Sequence, residues 1–144
     1  MWINLKTIFL DSLEQITYNF YRQGNWFLQG EFLLQTLKKN RDFKQVYTQG
    51  NSVATTYLVL YFLPNNRHVN RYGFSISKKI GKAVLRNKLR RRLKEIIRQE
   101  EKENSIKQGY DLIFIARKPV VKLDYWKIKD EVEKLFMSSS LGRK

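Results

Sequence analysis

The chain has 144 residues, no cysteine, one histidine (His68) and a formal net charge of +15. That length suits one ordinary domain able to close an apolar core without staples, and the composition excludes disulfides, thiolate metal sites and histidine clusters. No apolar run approaches the roughly 18 residues that a spanning helix needs, since Lys6, Asp11 and Glu14 interrupt the N-terminal stretch, so the chain reads as soluble and cytoplasmic.

The charge divides the sequence in two. Up to Thr36, Lys6 and Arg22 stand against Asp11, Glu14 and Glu31, a net −1, in a stretch carrying Trp2, Phe9, Tyr18, Phe20, Tyr21, Trp26, Phe27 and Phe32; the remainder carries +16. A positive field of that size implies a polyanionic partner, nucleic acid before a membrane surface. Ile3, Phe9, Leu10, Leu13 and Phe20 could form one apolar helix face, but the segment lacks the basic face that membrane-surface helices use.

Beyond the aromatic leader, "TLKKNRDFKQVYTQG" predicts a short helix, with Asn40 as its cap, Asp42 at its positive end and Gly50 ending it in a left-handed conformation. Phe43, Val46 and Tyr47 share one face, which suits either core or an exposed aromatic surface. "VATTYLVLYFL" (53–63) has no breaker before Pro64 and predicts a strand, with Leu58, Leu60 and Phe62 on one side and Tyr57, Val59 and Tyr61 on the other. After the loop "PNNRHVN", the stretch "RYGFSIS" alternates: Tyr72, Phe74 and Ile76 face one way, Gly73, Ser75 and Ser77 the other. That small, polar side predicts a sheet surface left uncovered, against which an extended chain could lie.

The next stretch, "SKKIGKAVLRNKLRRRLKEIIR", holds ten basic residues from Lys78 to Arg98 and one acid, Glu95. From Gly81 onward it predicts a long helix whose apolar stripe is Leu85, Leu89, Leu93, Ile96 and Ile97. Arg86, Asn87, Arg90, Arg91, Lys94 and Arg98 fall on one flank, and Lys88, Arg92, Glu95 and Gln99 on the other. "YDLIFIARKP" predicts a strand ended by Pro119, and "DYWKIKDEVEKLF" a last helix turning Trp126, Val132, Leu135 and Phe136 inward; the tail "SSSLGRK" reads as frayed. The sum is helix, two or three strands, helix, strand, helix: an α+β fold, a two-layer α-β sandwich with a small mixed sheet and helices on one face, its three-strand form having the order α-β-β-β-α-β-α.

A solvated helix face intersperses acids to gain i,i+4 pairs, but here the acids wait until Glu95. A phosphate backbone relieves that repulsion and releases counterions, and arginine forks match phosphate oxygens. Lys78, Lys79 and Lys82 extend the field to the strand-to-helix junction, where backbone N–H groups also favour anions. Nuclease chemistry by the chain itself would need converging carboxylates or a paired acid and base. The acids instead lie at helix-surface spacing, and His68 sits in a loop.

"SKKIGKAVLRNKLRRRLKE" resembles the signature of the protein subunit of bacterial ribonuclease P, whose helix carries an Arg-Asn-Arg or, as here, Arg-Asn-Lys core after a Lys-Lys-x-Gly-x-Ala-Val approach. "LKKNRDFKQVYTQG" resembles that family's first helix and "YDLIFIARKP" its last strand. Lys88 as third residue of the core, and Arg92 at a usually apolar position, depart from the pattern. The resemblance covers residues 36–144 and leaves 1–35 as an N-terminal extension, either an appendage or the product of a start codon placed upstream.

The resemblance implies a subunit that is not itself the catalyst. A partner RNA, working through magnesium ions, cleaves precursor tRNA at its 5′ end; the protein alone binds no cofactor, and no protein partner is expected. It implies that Arg86, Asn87, Lys88, Arg90, Arg91 and Lys94 face the catalytic RNA or its metal-bound phosphates, and the charge of Lys78, Lys79 and Lys82 extends that RNA-binding surface. Phe43, Tyr47, Val59, Tyr61 and Ser75 would line a cleft for the single-stranded 5′ leader of precursor tRNA. It also implies a left-handed strand–helix–strand crossover, against the usual hand. A structural or ribosomal RNA-binding protein with no part in cleavage is the alternative, separated by whether affinity responds to a 5′ leader.

Overall fold

The structure, a computed structural model, describes residues 34–143 and two short strands before them. Most of the N-terminal extension, including the apolar face considered for a membrane surface, lies outside the described residues. The two short strands, β1 (Phe27–Leu28) and β2 (Glu31–Phe32), pair antiparallel. The domain then runs α1 (Asn40–Gln49), β3 (Asn51–Ala54), β4 (Leu58–Pro64), β5 (Arg71–Ser75), α2 (Ala83–Lys102), β6 (Tyr110–Ala116) and α3 (Tyr125–Ser139), the expected order. Short 3₁₀ turns precede α2 (Lys78–Ile80) and α3 (Lys118–Lys122).

The sheet order is β3-β4-β6-β5. β4 pairs antiparallel with both β3 and β6, whereas β5 and β6 are parallel neighbours joined through α2. Leu60 opposite Phe114 and Phe74 beside Phe114 fix the register. One face therefore presents Leu58, Leu60, Tyr72, Leu112 and Phe114, buried under Leu89, Leu93, Ile96 and Ile97 of α2 and Ile128, Val132, Leu135 and Phe136 of α3. The expectation of helices on one face holds for these two. α1 lies on the other, where Val46 packs with Leu37 and Ile113.

Several local expectations change. The stretch 53–63 is a hairpin, not one strand, because Thr55 makes the turn: its Oγ1 accepts from the N–H groups of Tyr57 and Leu58, both at 3.2 Å, and its own N–H donates to the Leu58 carbonyl at 2.8 Å. Tyr57, carried by that turn, leaves the alternation and packs on the α2/α3 side. Asn40 is the first residue of α1 rather than its cap, which is Lys39 with no side-chain bond. Gly50 ends α1 with φ −88°, not left-handed; glycine is needed because a Cβ there would stand 2.6 Å from the carbonyl oxygens of Phe62 and Val46.

Trp126, expected inward, is 68% exposed, and Ile128 two residues on takes the core position. Asp124 caps α3, accepting from Lys127 N–H at 2.9 Å. The tail is not frayed. Ser140 at φ +64° turns the chain, Leu141 is buried, and backbone bonds run from Lys107 to Leu141 at 2.8 Å and from Arg143 to Ser105 at 2.7 Å.

Candidate nucleic-acid interface

α1 positions the aromatic half of the site. Val46 faces the sheet with no exposure, and its neighbours one turn apart, Phe43 and Tyr47, flank it. Phe43 lies over Gly73 of β5 so closely that a Cβ on that glycine would stand 2.7 Å from the ring. Tyr47, 37% exposed, meets Tyr61 of β4 edge-to-face at 5.1 Å and Phe43 at 6.4 Å. Beside this aromatic run, Val59, Ser75 and Ile115 belong to the same sheet face by register and are only partly covered. The structure thus brings Phe43, Tyr47 and Tyr61 into contact and sets Val59 and Ser75 on the face that carries them. Both halves of the sequence alternative hold on α1: Val46 is core, and Tyr47 is accessible.

An ion-pair clamp fixes α1 to the sheet on this side. Arg71 donates through Nε and Nη2 to the two Asp111 carboxylate oxygens, at 2.9 and 2.7 Å, while its Nη1 stands 3.6 Å from Asp42 of α1. Asn65 adds a bond to Asp111 at 2.8 Å. The hydrogen bond to Asp111 raises the Arg71 pKa; burial opposes this, and the charges of Asp111 and Asp42 add to it. Sequence reasoning missed this clamp, because the parallel register of Arg71 and Asp111 joins residues with no local relation.

The basic half begins where β5 ends. Ser77 Oγ accepts from Lys79 N–H at 3.3 Å and starts the 3₁₀ turn; Lys82 then precedes α2, whose first turn has neither a capping side chain nor an acid. Open N–H groups at a helix N-terminus favour an anion, and Lys78, Lys79 and Lys82 are exposed around them. Further along, Asn87, Lys88, Arg91 and Lys94 are exposed. Among the described residues, no acid pairs with Lys78, Lys79, Lys82, Arg86, Lys88, Arg90, Arg91 or Lys94.

Two flank residues do more than present charge. Arg86 is partly buried and turns its Nε–H back onto the Gly81 carbonyl at 3.1 Å, tying the helix to the preceding turn. Asn87 accepts from Arg90 at 2.9 Å, orienting that guanidinium. The field ends at Arg98, which Glu95 pairs at 2.7 Å. Burial opposes ionisation of Glu95, but hydrogen bonds from Arg98 and Gln99 hold its carboxyl below the usual range.

Comparison with known proteins now decides the family. A family model described as Ribonuclease P matches residues 34–139. The chain belongs to the ribonuclease P protein family. It is 43% identical over 108 residues to the ribonuclease P protein component of Caldanaerobacter subterraneus subsp. tengcongensis, covering 75% of this chain and 91% of that one. To its counterpart in a Thermoanaerobacter species it is 46% identical over 105 residues, 73% and 89% of the two chains. Among solved structures, the Staphylococcus aureus family member superposes with a TM-score of 0.68 at 34% identity, over 74% of this chain and 95% of that one. The Thermotoga maritima member gives 0.65 at 31%, over 70% and 94%. The parallel β5–β6 pair joined through α2 fits the crossover that the resemblance implied.

Proposed function

We propose that this chain is the protein subunit of a ribonuclease P holoenzyme, acting in the cytoplasm on precursor tRNA, with cleavage carried out by the partner RNA. The observation that carries the reading is one of adjacency. The aromatic face of Phe43, Tyr47 and Tyr61 adjoins the acid-free start of α2 through the short segment 76–81. Stacking aromatics beside concentrated cations suit a single strand attached to a folded RNA.

In this reading Lys78, Lys79, Lys82, Arg86, Lys88, Arg90, Arg91 and Lys94 meet phosphates of the catalytic RNA, with Asn87 holding Arg90 in place. Phe43, Tyr47, Val59, Tyr61 and Ser75 take the 5′ leader: the rings stack on unpaired bases, and Ser75 lets the backbone approach. In this reading magnesium comes with the RNA subunit. The protein's share is binding and orientation. Holding the leader against the sheet fixes where the tRNA strand passes the RNA's active site.

Reconstitution with a bacterial ribonuclease P RNA and a leader-bearing precursor tests this. Protein alone should leave the precursor intact, and adding it to the RNA at low magnesium should raise cleavage strongly. Replacing Arg90 and Arg91 with Ala should flatten the salt dependence of RNA binding by a slope of about 1.5, the value for two lost phosphate contacts. Cleavage by nuclease-free protein alone, or no stimulation of the RNA, would contradict the reading.

A further inference from the structure

The second flank of α2 faces the turn that precedes α3. Leu85, Lys88, Leu89 and Arg92 follow one another at i, i+3, i+4 and i+7, and they form one wall of a notch. The other wall is Val121, from the 3₁₀ turn before α3, and Leu123, the residue that follows that turn, with Ile128. Its floor is closed, because Leu89 and Ile128 are buried, but its rim is open: Leu85 is 36% and Val121 40% exposed. Val84, on the same first turn as Leu85, is 80% exposed. These three make up half of the large apolar side chains exposed among the described residues, so exposed apolar surface is concentrated here.

The charge around the notch is of one sign. Arg92 is partly buried, yet no acid pairs with it among the described residues, and Lys88 beside it is equally unmatched. Lys118 and Lys122 stand exposed on the turn that supplies Val121. The nearby acids are engaged elsewhere: Glu95 by Arg98, and Asp124 as the cap of α3. A guanidinium drawn partly out of water against an apolar wall, without a counterion, is suited to a flat, π-bearing group linked to an anion. A nucleotide is such a group, and a polyanion crossing α2 at Arg90 and Arg91 passes within reach.

We propose that the notch takes one extruded base of the RNA subunit. Its ring lies between Leu85 and Val121 and against the Arg92 guanidinium, with Lys88 on an adjoining phosphate. This deepens the proposed function and rests on it, adding a stacked anchor to a contact otherwise made by charge. An acidic segment of a protein is the competing occupant; the cations of α2, with no acid among them from Ala83 to Lys94, favour RNA.

Two neutral-cost substitutions test it in the full chain with a bacterial ribonuclease P RNA. Arg92→Lys keeps the charge and loses the planar fork; Val121→Asn, at an exposed position, makes the rim polar without changing net charge. Each should weaken RNA binding roughly ten-fold while leaving its salt slope unchanged, as expected for a lost stack. Chemical probing should show one unpaired base that the wild type protects and both variants release. If wild-type protein binds the RNA and the variants match it in affinity and base protection, the notch proposal fails while the proposed function stands, and the surface is left to a protein. If wild-type protein does not bind the RNA at all, both readings fall together.

Discussion

The two faces of the central sheet are built from alternate residues of the same strands, yet they are finished differently. On the α2/α3 face, Leu58, Leu60, Leu112 and Phe114 have no exposure, and Phe114 stacks on Phe74 at 6.1 Å while meeting Phe136 edge-on at 5.9 Å. On the α1 face, Val59, Tyr61, Ser75 and Ile115 remain partly open. Cover makes the difference: helices of 20 and 15 residues close one side, and a helix of 10 residues lies on the other. Residue type does not decide it. Tyr72 is buried against Glu101 and Asn70, whereas Tyr61 meets Tyr47 on the open face.

The largest expected effect is on the closed face. Phe114→Ala should cost about 3–5 kcal/mol of stability, through lost burial and the cavity left behind, and should weaken every RNA interaction together. A denaturant midpoint close to wild type would mean that the two faces are less different than described. Gly73→Ala sharpens the contrast from the other side. Its Cβ would meet the Phe43 ring at 2.7 Å, so the ring must shift, at about 1–3 kcal/mol. Affinity for leader-bearing precursor should fall further than affinity for mature tRNA, and equal losses would remove Phe43 from the cleft.

A smaller effect marks the polar corner of the closed face. Burial pushes the Glu101 carboxyl up, opposed by hydrogen bonds from Tyr72, Asn70 and Gln108 and by the charge of Arg143. The fold therefore favours the protonated acid. Its contribution is full below the ordinary value of 4.5 and is lost as pH rises through the raised one. Glu101→Gln should make the decline in unfolding free energy as pH rises above 4.5 shallower. An unchanged slope would show that Glu101 is ionised in the folded state as readily as in the unfolded one.

Most of this contrast was legible in the sequence, because strand alternation is a local signal. The split of Tyr72 and Phe74 from Gly73 and Ser75, and of Leu58 and Leu60 from Val59 and Tyr61, follows from period two alone. The turn at Thr55 was not legible, since a threonine hydroxyl can close a turn without glycine or proline. Trp126 misled for a related reason: helical period places it on a face but says nothing of where the sheet beneath ends. The Asp42–Arg71–Asp111 clamp and the Phe43–Gly73 contact join segments far apart in the chain, and periodicity carries no information about them. The basic flank was read from charge, but the turning of Arg86 onto Gly81 and of Asn87 onto Arg90 depends on side-chain geometry that composition does not encode.

Recognition of a single strand by the open face is tested most directly at Tyr47, which lies on that face and is 37% exposed. The measurement is the ratio of precursor to mature tRNA affinity for Tyr47→Ala in the reconstituted holoenzyme, taken with its denaturation midpoint. The expected result is a loss of about 1–3 kcal/mol confined to the leader-bearing precursor, with the midpoint near wild type. A ratio that stays at the wild-type value while the midpoint falls would return Tyr47 to the core and contradict the assignment of this face to the leader.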